Sequence, residues 1–236
     1  MTLLALAIAP GLVICFYIFY KDVYNPEPVM KLVISFFLGA LVVIPAGLIE
    51  RAASPYFDNT ISSTALFAYG VVALAEETGK FLVLRYYAYP RQSFDEPLDG
   101  IVYGIMASMG FATVENILYV SQNGFGTAIV RMFLSVPAHA TFAVMMGYYA
   151  GKAKFRPQQS FLLLFTGLFL AVFFHGTFDF LLFLQKSPYV QQYVSDSLLF
   201  LGAITSFIIA FRLSKQLIEQ HQELSRHTFT NIPNRA

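Results

Sequence analysis

Seven ionisable side chains stand inside long apolar stretches of this sequence: Glu76, Glu77, Lys80, Glu115, His139, His175 and Asp179. Carboxylates and imidazoles are the side chains that most often move protons near neutral pH. Two imidazoles with a carboxylate are also a common catalytic zinc set, with a fourth position left for water. Two neighbouring carboxylates, as at Glu76 and Glu77, share a proton more readily than either holds one alone, which suits acid–base work. A metal lowers the pKa of a bound water, and a second glutamate close by can take the proton released. Peptide hydrolysis inside a bilayer is the reaction that such a set serves. Other hydrolytic signatures are absent: there is no Gly-x-Ser-x-Gly and no His-Glu-x-x-His, and the single cysteine, Cys15, lies in a charge-free stretch.

The apolar surroundings make these groups informative. Of the 236 residues, 57% are hydrophobic and only 12% are charged, against about 25% charged in a soluble domain, so a water-soluble globule is excluded. The net charge of +1 provides no basic field for nucleic acid, and one cysteine allows neither an internal disulfide nor a cysteine-cluster metal site. An all-α, polytopic transmembrane helical bundle in the lipid bilayer follows. Seven stretches are long enough to span: residues 3–20, 32–49, 63–87, 98–120, 128–150, 159–184 and 194–211, with a Gly-rich turn at 122–126. Residues 1–213 read as a single transmembrane domain and 214–236 as a polar cytoplasmic tail, a solvated helix on the surface. With the N-terminus outside and the C-terminus cytoplasmic, eleven of the fifteen Lys and Arg fall in cytoplasmic segments, as the positive-inside rule requires. Nothing in the opening span resembles a cleavable leader, since it lacks a basic n-region and is long enough to cross.

A charged group at the centre of a membrane helix costs about 2.5–3.5 kcal/mol, so seven oppose insertion unless they meet one another. Spacing lets them meet. Ser135, His139, Ala143 and Gly147 recur every four residues, as do Gly167, Ala171, His175 and Asp179. Gly70, Ala73, Glu77 and Lys80 form a third stripe, and Gly104, Ser108 and Glu115 a fourth. Small residues at such intervals mark the faces where membrane helices pack closely. Simpler readings exist for some of the groups: Glu76 and Lys80 as an i, i+4 ion pair that neutralises both, and His175 and Asp179 as an intrahelical hydrogen bond. Glu115 has no cation within one helical turn, so its partner must come from another helix, a metal or a shared proton. Counted from the span boundaries, Glu77 lies about 12 Å and Glu115 about 24 Å from the cytoplasmic edge, which requires the third span to run on toward Tyr89 or to tilt.

These residues also sit in recognisable motifs. Glu76-Glu77-Thr78-Gly79-Lys80, Asp99-Gly100-Ile101-Val102-Tyr103-Gly104, the run from Gly110 through Phe111 to Glu115-Asn116, Pro137-Ala138-His139, and His175-Gly176-Thr177-Phe178-Asp179 follow in order over residues 70–180. Together they resemble the PrsW family of intramembrane proteases, distantly related to the type II CAAX-prenyl endopeptidases. The resemblance implies a membrane-embedded, metal-assisted endopeptidase of the bacterial plasma membrane. Its partner is a membrane-anchored protein substrate, such as an anti-sigma factor. It implies Glu76 and Glu77 as the water-activating pair. Glu115, His139 and His175 become ligands of a divalent metal, zinc for preference, or stabilisers of the transition state. Asp179 orients His175, Asn116 donates to the developing oxyanion, and Lys80 and Phe111 support the site. The alternative is a proton-coupled transporter or channel built on the same Glu and His cluster, although the chain shows neither repeated halves nor matched helix breaks. A non-enzymatic adaptor that keeps the bundle is a third possibility.

Overall fold

The computed structural model describes residues 2–230 and is helical throughout, with no strand among the described residues. Helix α1 covers Thr2–Lys21 and α2 covers Val29–Ala53. Helices α3 (Ile61–Ala65) and α4 (Leu74–Val83) belong to one continuous helical path over residues 61–88, because two π-helical stretches, Leu66–Ala73 and Leu84–Ala88, join and extend them. Then follow α5 (Pro97–Phe133), α6 (Ser135–Lys154), α7 (Ser160–Phe183), the short α8 (Pro188–Gln191) and α9 (Asp196–Thr230). Five helical runs are long and apolar enough to cross a membrane: Thr2–Lys21, Val29–Tyr56, Pro97–Lys154, Pro157–Lys186 and Asp196–Thr230. Large apolar side chains such as Ile44, Leu48, Phe161 and Leu162 cover their outer faces, as a hydrocarbon solvent demands.

Helix α5 is the axis of the bundle. Every residue from Leu98 to Thr113 is buried, with α1, α2 and α6 packed around it. Backbones touch where side chains are missing: a Cβ at Gly110 would overlap the Phe36 carbonyl of α2, and one at Gly147 would overlap the Gly100 carbonyl. Close approach of this kind stabilises helix pairs in lipid, where apolar surface alone gives no preference for a neighbour. The run ends at Gly124, whose φ of 78° is left-handed and available to glycine without strain. Beyond it the chain turns back, and the last turns of α5 lead into α6.

Helix α9 differs from the sequence reading. No break separates a span from a tail at position 214; one helix of 35 residues runs to Thr230. Its last turns carry a buried face of Leu217, Ile218, His221 and Ser225, docked on the bundle. Tyr148 donates to Gln220 Oε1 at 2.8 Å, His221 stacks on the Tyr148 ring at 4.1 Å, and Gln222 donates to the Lys21 carbonyl at 2.8 Å. The part of the expected tail beyond residue 230 lies outside the described residues.

Candidate active site

Four helices bring the ionisable groups together. In α4, Glu76, Glu77 and Lys80 lie within one turn, and the 100°-per-residue step points all three toward α6 and α7. Lys80 Nζ lies 3.1 Å from Glu76 Oε2, 2.8 Å from Glu77 Oε1 and 3.2 Å from His139 Nδ1. The same ammonium lies 4.0 Å from the centre of the Phe111 ring, on α5, whose face supplies further negative charge density. Lys80 therefore holds together three helices, beyond the i, i+4 pair legible in the sequence.

On α7, His175 presents Nδ1 to Glu77 Oε1 at 2.8 Å and Nε2 to Asp179 Oδ2 at 3.2 Å, with Glu76 Oε2 at 3.9 Å. The i, i+4 carboxylate and the cross-helix one fix the ring from two sides. Phe142 of α6 stacks on it at 5.1 Å and 16°, and the His139 ring meets it edge-on at 5.0 Å. On α6, His139 Nε2 lies 3.1 Å from Glu115 Oε2. With Lys80 donating to Nδ1, the tautomer that satisfies both contacts carries its proton on Nε2 and donates to Glu115.

Glu115 has a second partner that its sequence neighbourhood hides. Arg131, beyond the Gly124 turn, places Nη2 2.5 Å from Glu115 Oε2 and Nε 2.9 Å from Asn116 Oδ1. The Asn116 amide nitrogen donates to the Ala7 carbonyl of α1 at 2.9 Å. Asn116 thus ties α1 to the Arg131 arm through both its amide nitrogen and its amide oxygen. The expected difference in depth between Glu77 and Glu115 is bridged in two ways. The helical path of the third span extends to Ala88, and the chain Glu77–Lys80–His139–Glu115 connects the two carboxylates.

Glu76, Glu77, His139 and His175 each offer one ligand atom, all within 4.8 Å of one another, and all four residues are buried. Glu115, expected among the ligands, stands outside this set and is held by Arg131 and His139. Glu77 is 0% exposed and its Oε2 has no hydrogen-bond partner, although a buried carboxylate oxygen costs on the order of 1–3 kcal/mol when unmade. A mixed set of imidazole nitrogens and carboxylate oxygens with one unsatisfied oxygen fits a divalent metal. A cavity of about 640 Å³ reaches the cluster past Glu76, Glu115, His139 and His175. It continues between the helices to Glu50, Arg51, Gln122 and Lys186, which lie at helix ends. Glu50 and Arg131 line the same cavity, the latter brought there by the turn at Gly124, and neither is distinguished by sequence spacing.

The model of the family described as PrsW family intramembrane metalloprotease matches residues 27–220. The chain belongs to the PrsW family. Curated relatives named Protease PrsW include that of Geobacillus kaustophilus, 40% identical over 185 residues, covering 78% of this chain and 81% of the relative. The Bacillus subtilis protein is 38% identical over 181 residues, covering 76% and 82%. The Clostridioides difficile protein is 35% identical over 191 residues, covering 78% and 80%. No solved structure matches. PrsW is a protease family, so the chain is an enzyme of the intramembrane protease class, and the transporter reading is not favoured.

Proposed function

We propose that the chain hydrolyses a peptide bond of a membrane-anchored protein, with Glu76 and Glu77 managing the proton of the attacking water. The observation that carries this reading is the convergence of Glu76, Glu77, His139 and His175 within 4.8 Å at the end of a cavity open to the approach. A regulatory membrane protein such as an anti-sigma factor is the substrate class that the family resemblance implies.

Each group takes a role from its contacts. Glu77 is pinned by Lys80 and His175 through Oε1, which leaves Oε2 to accept the water's proton. Glu76, which borders the cavity, takes that proton on from Glu77 and delivers it to the leaving amine. Lys80 neutralises the pair so that it can stay buried. His139 and His175 hold the metal together with one of the carboxylates, and Asp179 fixes the His175 ring. A divalent metal, zinc on the balance of its nitrogen and oxygen donors, supplies Lewis acidity when bound. Arg131 and His139 hold Glu115 by direct contact, and Asn116 positions Arg131. The polar wall of the cavity admits water, while the surrounding phenylalanines keep the rest of the site dry.

In the membrane the reading is a bundle of seven spans, with residues 61–88 crossing as a helix of their own and Gly124 separating two further spans. The C-terminal end is cytoplasmic.

Reconstituted protein, tested with a single-span substrate, decides the matter when product and bound metal are read together. Wild type is expected to cleave and to carry one zinc per chain, and His139→Ala combined with His175→Ala to lose both cleavage and zinc. Cleavage that survives the double substitution would overturn the assignment, as would metal content that does not change.

A further inference from the structure

A second group of buried carboxylates lies at the opposite end of the bundle, away from the Glu and His cluster. Asp22 follows α1, Glu96 is the N-cap of α5, and Asp99 lies in its first turn. Their exposures are 1%, 2% and 0%, and one oxygen from each lies within 4.8 Å of the others. No Lys or Arg among the described residues pairs with any of the three within 4.0 Å.

The two aspartates use their oxygens unequally. Asp22 Oδ2 accepts from the Glu27 backbone at 2.9 Å, and Asp99 Oδ2 accepts from the backbones of Asp95 at 2.8 Å and Glu96 at 2.9 Å. Those bonds fix each carboxylate to the local backbone. The other oxygen of each, and both oxygens of Glu96, are buried with no hydrogen-bond partner. Ser225 of α9, 1% exposed and likewise unpartnered, lies beside Glu96. A neighbouring carboxylate, Glu27, is not orphaned in this way, because the Tyr103 hydroxyl donates to it.

Two anchored aspartates and a buried glutamate beside them, all with free oxygens and no cation of the chain to face them, describe a receptor for something positive. We propose that Asp22, Glu96 and Asp99 bind a hard divalent cation, calcium or magnesium. The donors are all oxygen, the preference of these two ions and a poor match for the softer metals of nitrogen and sulfur sites. Oxygens around one calcium ion, at about 2.3–2.6 Å from it, stand at most about 5 Å apart, which accommodates the observed spread. Water and the Ser225 hydroxyl complete the shell. The ion clamps the α1–α2 connection to the start of α5, beneath the docked end of α9. It is separate from the metal of the proposed active site.

The test uses the full chain, purified in detergent and stripped with a chelator. Radioactive calcium binding at equilibrium measures affinity, and magnesium competition compares the two ions. Unfolding is followed through Cys15, the sole cysteine and a buried one, with a thiol-reactive dye. Wild type is expected to bind a single calcium saturably and to melt several degrees higher with calcium or magnesium than without. Asp22→Asn with Glu96→Gln is expected to weaken binding at least tenfold and abolish the shift, while His139→Ala with His175→Ala keeps both. If the carboxylate double variant fails to fold, Asp22→Asn alone is measured in its place. Absence of saturable binding by wild type overturns the proposal. So does undiminished affinity in the carboxylate variants, or loss of binding in the histidine variant.

Discussion

Asp179 contributes to the site through its contact with His175 at 3.2 Å, and that contact sets what its loss should do. Asp179→Asn keeps the size of the side chain but weakens the hold on the ring. A fall in kcat/KM of about 10–100-fold is expected, with the melting temperature little changed. Activity equal to wild type in the purified variant would exclude a positioning role. The motif residues themselves were legible from the sequence because a charge in an apolar helix is costly and must be answered by another. Which groups answer which was not legible. Lys80 reads in sequence as the i, i+4 partner of Glu76, yet it also holds Glu77 and His139. Arg131, sixteen residues from Glu115, reaches it because Gly124 reverses the chain, and helical spacing carries no information across such a turn.

Helices meet here through small residues, so adding a side chain at a contact should act on both partners at once. A Cβ at Gly110 overlaps the Phe36 carbonyl. Gly110→Val is therefore expected to push α2 from α5, lower the melting temperature by several degrees and reduce cleavage together. An unchanged melting temperature would show that the two helices can separate without cost. The docked end of α9 makes a different prediction. Burial against Tyr148 pushes the His221 imidazole down to about 4, below its unfolded value of about 6.5. A group depressed in this way stabilises above the unfolded pKa and loses that contribution as pH falls toward the folded one. His221→Phe keeps a ring on Tyr148 without a titrating group. Its melting temperature relative to wild type should therefore rise as pH drops from 7 to 5, and a constant difference would refute this. The continuity of α9 escaped the sequence reading because its polarity increases at Ser214 while helix propensity does not fall. The π-helical stretches around α4 are not legible in the sequence because their wider turn departs from the 3.6-residue period of apolar spacing.

Taken together, the bundle encloses a polar reaction chamber with an apolar coat. Composition alone was enough to establish the coat: 12% charged residues cannot cover a globule of this length in water. The chamber is not legible in this way, because its wall combines five separate stretches between Gly47 and Lys186. The orientation proposed for the bundle predicts that a reporter fused after the C-terminus is active in the cytoplasm. It also predicts that a cysteine at Arg51, introduced with Cys15 replaced by Ala, reacts with an impermeant thiol reagent from outside. The reverse labelling pattern would invert the topology and place the mouth of the chamber on the other face. The decisive quantity is the rate at which reconstituted Glu77→Gln cleaves the substrate beside wild type. The amide occupies the same space but accepts no proton, so a loss of about 10²-fold or more is expected, with Cys15 as protected as before. A variant that cleaves within a few-fold of wild type would contradict the assignment of the Glu76–Glu77 pair.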